Sequence, residues 1–307
     1  MTRTGNRVLT VLAPRQLYDF IMETGFIRDV LLSKVDAPVR MVLGEQDRQM
    51  QAMDDVLVID FENRLSAVVN AFAAAPFRNV GVLHMADETL SADCSYYPKV
   101  DYVLRNYWRP EALEIPAGSR CQGAIWVPNG YRTGVGPCPA AGLLPFELRT
   151  TPMTFIGRTP PELAERHRMM EVIQANDLPA RLETTLKFGG EFSAHSYRAV
   201  MEDTRFALVP GGNSVETIRL YDALETGAIP VCLDAPFLRD ERTAGGIPAV
   251  ILSSWDELPR WWQSVEADPA RYADLQRQVI AWWTAFKERQ ADRVAELINN
   301  AFARSAG

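Results

Sequence analysis

Residues 206–231, FALVPGGNSVETIRLYDALETGAIPV, constrain this chain more than any other stretch. Phe206-Ala207-Leu208-Val209 is a short apolar run followed by turn residues, which predicts a buried strand. Pro210-Gly211-Gly212-Asn213 predicts a turn in which the two glycines can take backbone angles closed to other residues. Ser214 then suits an N-cap, with a helix over residues 215–226 ended by Gly227. Residues 228–233 return as a second buried strand. Strand, glycine-rich turn, helix and strand make one βαβ unit, whose ligand side lies at the C-terminal end of the first strand.

Unpaired N–H groups at a helix start hold roughly half a positive charge, which suits this turn to a phosphate or diphosphate. Arg219 follows Glu216 and precedes Asp222 at equal spacing, so neighbours in the series are about 60° apart around a helix. A guanidinium grips phosphate oxygens in bidentate fashion, and a carboxylate one turn on can accept both hydroxyls of a ribose. The competing reading of Glu216, Arg219 and Asp222 is a solvated, self-paired helix face.

At 307 residues the chain is long enough for two domains, each with its own core. With 47% hydrophobic and 23% charged residues it has the composition of a folded soluble protein. A net charge of −7 without a long Lys/Arg run argues against nucleic acid or an anionic membrane surface as main partner. Residues 8–13 are too short an apolar run for a signal peptide or transmembrane segment, which points to a cytoplasmic enzyme, the inner face of the membrane included. Cys94, Cys121, Cys138 and Cys232 lack Cys-x-x-Cys spacing, so free thiols are expected and no metal site.

Strands are predicted at residues 7–12, 39–43, 56–59, 79–85, 100–104 and 123–128, with helices at 15–24 and 64–75. This alternation argues for a parallel, doubly wound first domain. Residues 129–150 are rich in Gly and Pro and mark the crossing between domains. The second half is predicted as strand 153–157, helix 162–174, strand 181–187, helix 193–202, the 206–231 unit, strand 249–253, and helices from 255–267 and 269 to about 302. Trp261-Trp262 and Trp282-Trp283 sit at helical spacing among aliphatic residues, which favours packing over a carbohydrate platform.

Four further stretches lie at predicted strand ends. His84-Met85-Ala86-Asp87-Glu88 sets two carboxylates at a strand end, where ligands sit in parallel sheets; the alternatives are a capping Asp87, a solvated Glu88 and a core His84. Arg105-Asn106-Tyr107-Trp108 suits sugar or carboxylate recognition, or else a packed aromatic interface with a structurally paired Arg105. Pro128-Asn129-Gly130-Tyr131-Arg132 reads as a tight turn. Phe155-Ile156-Gly157-Arg158 brings Arg158 to a strand end within reach of a diphosphate, or leaves it as a solvated turn charge. No phosphate-loop, Gly-x-Gly-x-x-Gly, Gly-x-Ser-x-Gly or Asp-x-Asp motif occurs, so ATPase, NAD dehydrogenase, serine hydrolase and metal-dependent GT-A readings lose support.

The central stretch resembles the signature of the exostosin-type glycosyltransferases, close to their ribitol xylosyltransferase branch. The likeness rests on the strand and Pro-Gly turn at 206–211, Asn213 and Ser214, Arg219, Asp222-Ala223 and Gly227-Ala228-Ile229-Pro230-Val231. A weaker likeness to fucosyltransferase donor motifs rests on Asn213-Ser214 and Glu216, with Glu216-Thr217 in reversed order. Both families imply the α/β architecture called GT-B, two Rossmann-like domains facing a cleft. On that pattern residues 1–148 form an acceptor domain, 149–285 a nucleotide-sugar-binding domain, and 286–307 a helix packing back on the first domain.

The resemblance implies a glycosyltransferase of polysaccharide biosynthesis. It moves a sugar from a nucleotide diphosphate, most simply UDP, to a glycan or glycolipid acceptor, by inversion and with no metal or cofactor. Arg158, Gly211, Gly212, Asn213, Ser214, Glu216, Arg219 and Asp222 would bind the donor, His84, Arg105, Asn106 and Tyr107 the acceptor, with Asp87 or Glu88 as base. Eukaryotic members of the family are usually membrane-anchored, from which this chain departs. A catalytically silent nucleotide-sugar binding module and a non-hydrolysing epimerase are the alternatives; the first gives no turnover and the second needs no acceptor.

Overall fold

The computed structural model describes residues 7–13, 22–43, 55–61, 77–185 and 192–305. The helix predicted at 64–75, most of that at 15–24, and the end of the strand predicted at 181–187 lie outside these residues.

The chain divides into two compact units. One comprises Met1–Met22, Ile27–Asn129 and Lys287–Gly307; the other comprises Glu23–Phe26 and Gly130–Phe286. Residues 130–148, expected with the first domain, therefore group with the second.

The first unit is built on a six-stranded sheet of β1 (Leu9–Ala13), β2 (Val39–Leu43), β3 (Asp55–Phe61), β4 (Asn79–Met85), β5 (Tyr102–Arg105) and β6 (Ala124–Trp126). Their order is β2-β1-β3-β4-β5-β6, and every neighbouring pair is parallel. Strands of a parallel sheet are covered on both faces, which is why β3 and β4 read as near-continuous apolar runs. Val56, Val58, Val80, Val82 and Val103 form one core with Tyr96 and Tyr97.

The second unit has a five-stranded sheet of β7 (Thr151–Arg158), β8 (Ala180–Thr185), β9 (Thr204–Leu208), β10 (Ile229–Leu233) and β11 (Val250–Leu252). All its pairs are parallel, in the order β11-β10-β9-β7-β8. Among the described residues this half of the chain has the helices α1 (Ala164–Ala175), α2 (Ala194–Glu202), α3 (Ile218–Thr226), α4 (Leu258–Ala267) and α5 (Pro269–Arg304). Ser193 caps α2, accepting from the Ser196 N–H, and Gly227 ends α3 in the left-handed region at φ 69°. The tryptophan pairs pack: Trp261 and Trp262 meet Phe206 edge-on, and Trp282 and Trp283 stack on Phe286.

One helix boundary differs from expectation. The helix of the central βαβ unit begins at Ile218 with Thr217 in the N-cap position, three residues beyond the expected Val215. Ser214 Oγ instead accepts from the Glu216 N–H, and Ser214 O from the Gly212 N–H, so residues 211–217 form a self-bonded loop before the helix.

Candidate functional site

In an open parallel sheet, ligands bind beyond the C-terminal strand ends where the order reverses. The five-stranded sheet steps outward from β7 to β8 on one side and to β9, β10 and β11 on the other. Its reversal point therefore lies between β7 and β9, where β7 ends in Gly157-Arg158 and β9 leads into Pro210-Gly211-Gly212.

The guanidinium groups of Arg166 and Arg219 meet at this point over the Phe155 ring, and Arg158 stands at the end of the same strand. Arg219, in the first turn of α3, donates from Nε and Nη2 to Ile156 O at 3.2 and 2.9 Å. Its guanidinium stands 4.8 Å from the centre of the Phe155 ring, a cation–π contact. Burial lowers its pKa, while Tyr197 and Asp222 act in the opposite sense; a guanidinium stays charged regardless. The residue is part exposed, yet its Nη1 is buried and without a protein partner. A Cβ on Gly157 would lie 2.3 Å from Arg219 Nη2, so only glycine leaves the arginine this path along β7. Arg166 of α1, absent from the sequence-based candidates, donates from Nε to Gly211 O at 2.9 Å and from Nη1 to Arg158 O at 2.5 Å. Arg158 itself is half-buried at the end of β7.

The carboxylates expected to bind donor turn inward. Asp222 is 2% exposed, and its Oδ1 accepts from the Arg132 N–H at 2.8 Å. The Tyr197 hydroxyl is a second partner. Burial pushes its pKa up to about 7 against these hydrogen bonds and the charges of Arg132 and Arg219. A carboxylate so enclosed braces the 130–132 turn against α3. Glu216 is likewise buried, its Oε1 accepting from the Tyr221 hydroxyl at 2.8 Å. Asn213 is exposed at the loop's tip, and Gly211 is buried beneath it.

In the first unit, pairing sets Asp60, His84 and Arg105 side by side across β3, β4 and β5. Arg105 is 1% exposed and forms an ion pair with Asp87. Its Nη1 donates to the Tyr97 hydroxyl at 3.1 Å and to His84 Nδ1 at 3.2 Å, so the His84 hydrogen sits on Nε2. Burial, and next the Arg105 charge, push the His84 pKa down to about 3, so it is a neutral core residue. Asp87 also accepts at Oδ1 from the Ser91 and Ala92 N–H groups at 2.9 and 3.0 Å. With both oxygens engaged, Asp87 ties down the β4–β5 connection and is no free base, and Arg105 is the structural ion-pair partner. Asn106 accepts from the Ala86 N–H and donates to Asn129, which fixes Ala86 at a φ of 65°. Of the two candidate carboxylates here, Glu88 is the half-buried one, reached by the Tyr107 hydroxyl at 3.4 Å.

Comparison with known proteins gives a consistent outline. Residues 155–303 match the family model of the RXYLT1 C-terminal domain. Ribitol-5-phosphate xylosyltransferase 1 from Danio rerio is 23% identical over 125 residues, covering 36% of this chain and 28% of that protein. The chain thus spans well under a third of that relative's length. Among solved structures, an α1,3-fucosyltransferase superposes with a TM-score of 0.53 at 12% identity, over 90% of this chain and 82% of that one. Sucrose-phosphate synthase from Thermosynechococcus elongatus gives 0.50 at 14% identity, over 97% and 100%. With the two parallel sheets, these neighbours establish the GT-B type of α/β fold. Among the described residues no helix is long and apolar enough to cross a membrane, and no His/Cys/Asp/Glu group has metal-binding geometry.

Proposed function

We propose, on the premise that this chain is exostosin-like and close to the ribitol xylosyltransferase branch over residues 155–303, that it is a glycosyltransferase using a nucleotide-diphosphate sugar. The observation behind this reading is the meeting of Arg166 and Arg219 over Phe155 at the reversal point of the second sheet, with Arg158 at the end of the same strand, beside a glycine loop and the start of α3. A departing diphosphate develops negative charge, and fixed cations and N–H groups aimed at it stabilise the transition state more than the ground state. Arg158, the buried Nη1 of Arg219, and the N–H groups of residues 217–219 at the start of α3 are the donor-binding groups in this proposal. They take over the charge that a metal handles in other transferases, so transfer proceeds in EDTA.

A hydroxyl acceptor needs a base as it attacks the anomeric carbon from the face opposite the diphosphate. Glu88 is assigned that role, with Tyr107 beside it, and Asp87 and Arg105 hold its loop in place. Inversion follows from one direct displacement. The nucleotide is taken as UDP and the acceptor as a glycan or glycolipid on the strength of the family resemblance.

The test is a thermal-shift panel of UDP, GDP, CMP and their sugars with EDTA, followed by product analysis. Wild type should shift with one nucleotide family and Arg219→Ala should not. Glu88→Gln should keep that shift and lose transfer by about 100-fold or more. Full donor affinity and turnover in Arg219→Ala would sink the diphosphate assignment.

A further inference from the structure

Gly211 is held by both of its backbone groups, and the two holders are neighbours in sequence. Glu165 Oε1 accepts from the Gly211 N–H at 2.9 Å, and Arg166 Nε donates to Gly211 O at 2.9 Å. Each holder is itself tied elsewhere. Trp255 Nε1 donates to Glu165 Oε1 at 3.1 Å, and Arg166 Nη1 donates to Arg158 O at 2.5 Å. The Arg166 guanidinium also stands 5.8 Å from the centre of the Phe155 ring, which Arg219 approaches as well. The fit leaves no room at the loop: a Cβ on Gly211 would lie 2.7 Å from Glu165 Oε2, and one on Gly212 3.0 Å from Arg166 Nη2.

We infer that Glu165 and Arg166, at the start of α1, are positioning residues that clasp the glycine loop and lock it to the end of β7. The inference rests on reading residues 206–231 as the donor-diphosphate site, and it explains what holds that site ready. A loop of two glycines has wide conformational freedom, which binding would otherwise have to remove. The clasp fixes the loop in advance, at both ends of one residue, and one guanidinium joins it to the strand that presents Arg158. Neither residue needs to touch the ligand. Arg166 is 8% exposed, and the two carbonyl oxygens it bonds belong to the glycine loop and to the last residue of β7. Lysine keeps the charge but presents a single nitrogen on a flexible stem, so it cannot hold both carbonyls in the planar fork geometry of arginine.

The experiment compares full-length wild type, Arg166→Lys, Glu165→Gln and Glu165→Leu by UDP and GDP titration calorimetry and by amide hydrogen exchange across residues 209–219. In Arg166→Lys, affinity for the nucleotide that wild type binds should fall at least tenfold, and exchange at Gly211 and Gly212 should quicken before ligand is added. The KM for donor should rise with it while the KM for acceptor holds. Glu165→Gln keeps a carbonyl oxygen for the Gly211 N–H, so it should lose far less than Glu165→Leu; this rescue separates the clasp from a mere need for negative charge. Unchanged affinity in Arg166→Lys, in a protein whose wild type binds, would overturn the inference and leave the donor reading intact. Wild type binding neither UDP nor GDP at millimolar concentration, with loop exchange still quickened in the variant, would overturn both the donor reading and the positioning role, leaving a purely structural fastener.

Discussion

Arg219 and Asp222 lie one turn apart on α3, and burial acts on them in opposite directions. Removing Arg219 from water lowers its pKa from so high a value that the charge survives. Removing Asp222 from water raises its pKa from 3.8 to about 7, so the carboxyl titrates near neutrality. Because the folded state then binds more protons than the unfolded chain between pH 4 and 7, Asp222 contributes most to stability at low pH, and that contribution is lost as pH rises through 7. The full span is on the order of 4 kcal/mol. Asp222→Asn keeps an oxygen for the Arg132 N–H and abolishes the titration. Its stability relative to wild type should therefore climb between pH 5 and 7 and level off above. Urea unfolding across that range checks this, and parallel curves for the two proteins would remove Asp222 as the titrating group.

At the scale of elements, the second unit is knitted by another buried arginine. Arg149 is fully buried and donates to Leu144 O, Met201 O, Thr204 O and Thr226 O, at 2.9, 3.4, 2.7 and 2.8 Å. Met201 and Thr226 lie in the last turns of α2 and α3, where orphan carbonyls and the negative ends of the helix dipoles meet. One cation thus closes two helices and joins them to β9. Arg149→Met fills most of the volume and leaves those carbonyls without a donor, which should cost about 3–5 kcal/mol of unfolding free energy. A loss under 1 kcal/mol by denaturant unfolding would show that water replaces the guanidinium without penalty.

Over the whole molecule, the same strand logic is used twice, with two parallel sheets whose order reverses beside their first strand. In the first sheet that reversal falls between β1 and β3, so the His84 to Glu88 stretch, at the end of β4, stands one strand away from it. The last helix is shared in sequence: residues 269–286 belong to the second unit and 287–304 to the first. Within the first unit Lys34 pairs with Glu288 and Asp292, Asn299 accepts from the Asp36 N–H, and Val294, Ile298, Ala301 and Phe302 are buried. A chain ending at residue 286 retains every strand of the first sheet and loses this apolar face. Amide exchange in β1 to β4 should then accelerate by more than 100-fold while β7 to β10 stay protected. Equal protection in both sheets would make the helix end dispensable to the first unit.

Strand positions were legible in the sequence because buried parallel strands are short apolar runs bounded by turn residues, and Asn79–Met85 falls where that pattern places it. The left-handed stop at Gly227 was legible for an equally local reason, since only glycine takes that conformation freely. The start of α3 was not, because Ser214 found a nearer N–H in its own loop and the helix began after Thr217. Arg219 could be singled out from its place after a glycine turn. The inward turn of Asp222 and Glu216 could not, since helical spacing fixes an angle around the axis and leaves open which neighbours cover it. Glu165 and Arg166 gave no signal in an ordinary charged helix start; their meeting with Gly211, far along the chain, exists only once α1 packs beside β7 and β9. The sequence by itself determined the parallel α/β class, the glycine loop and one arginine, all of which depend on residues near each other in the chain. Tertiary structure decided which charges stay at the open end of the sheet and which brace the fold, because burial and long-range partners set the energy of a charge and neither is encoded locally.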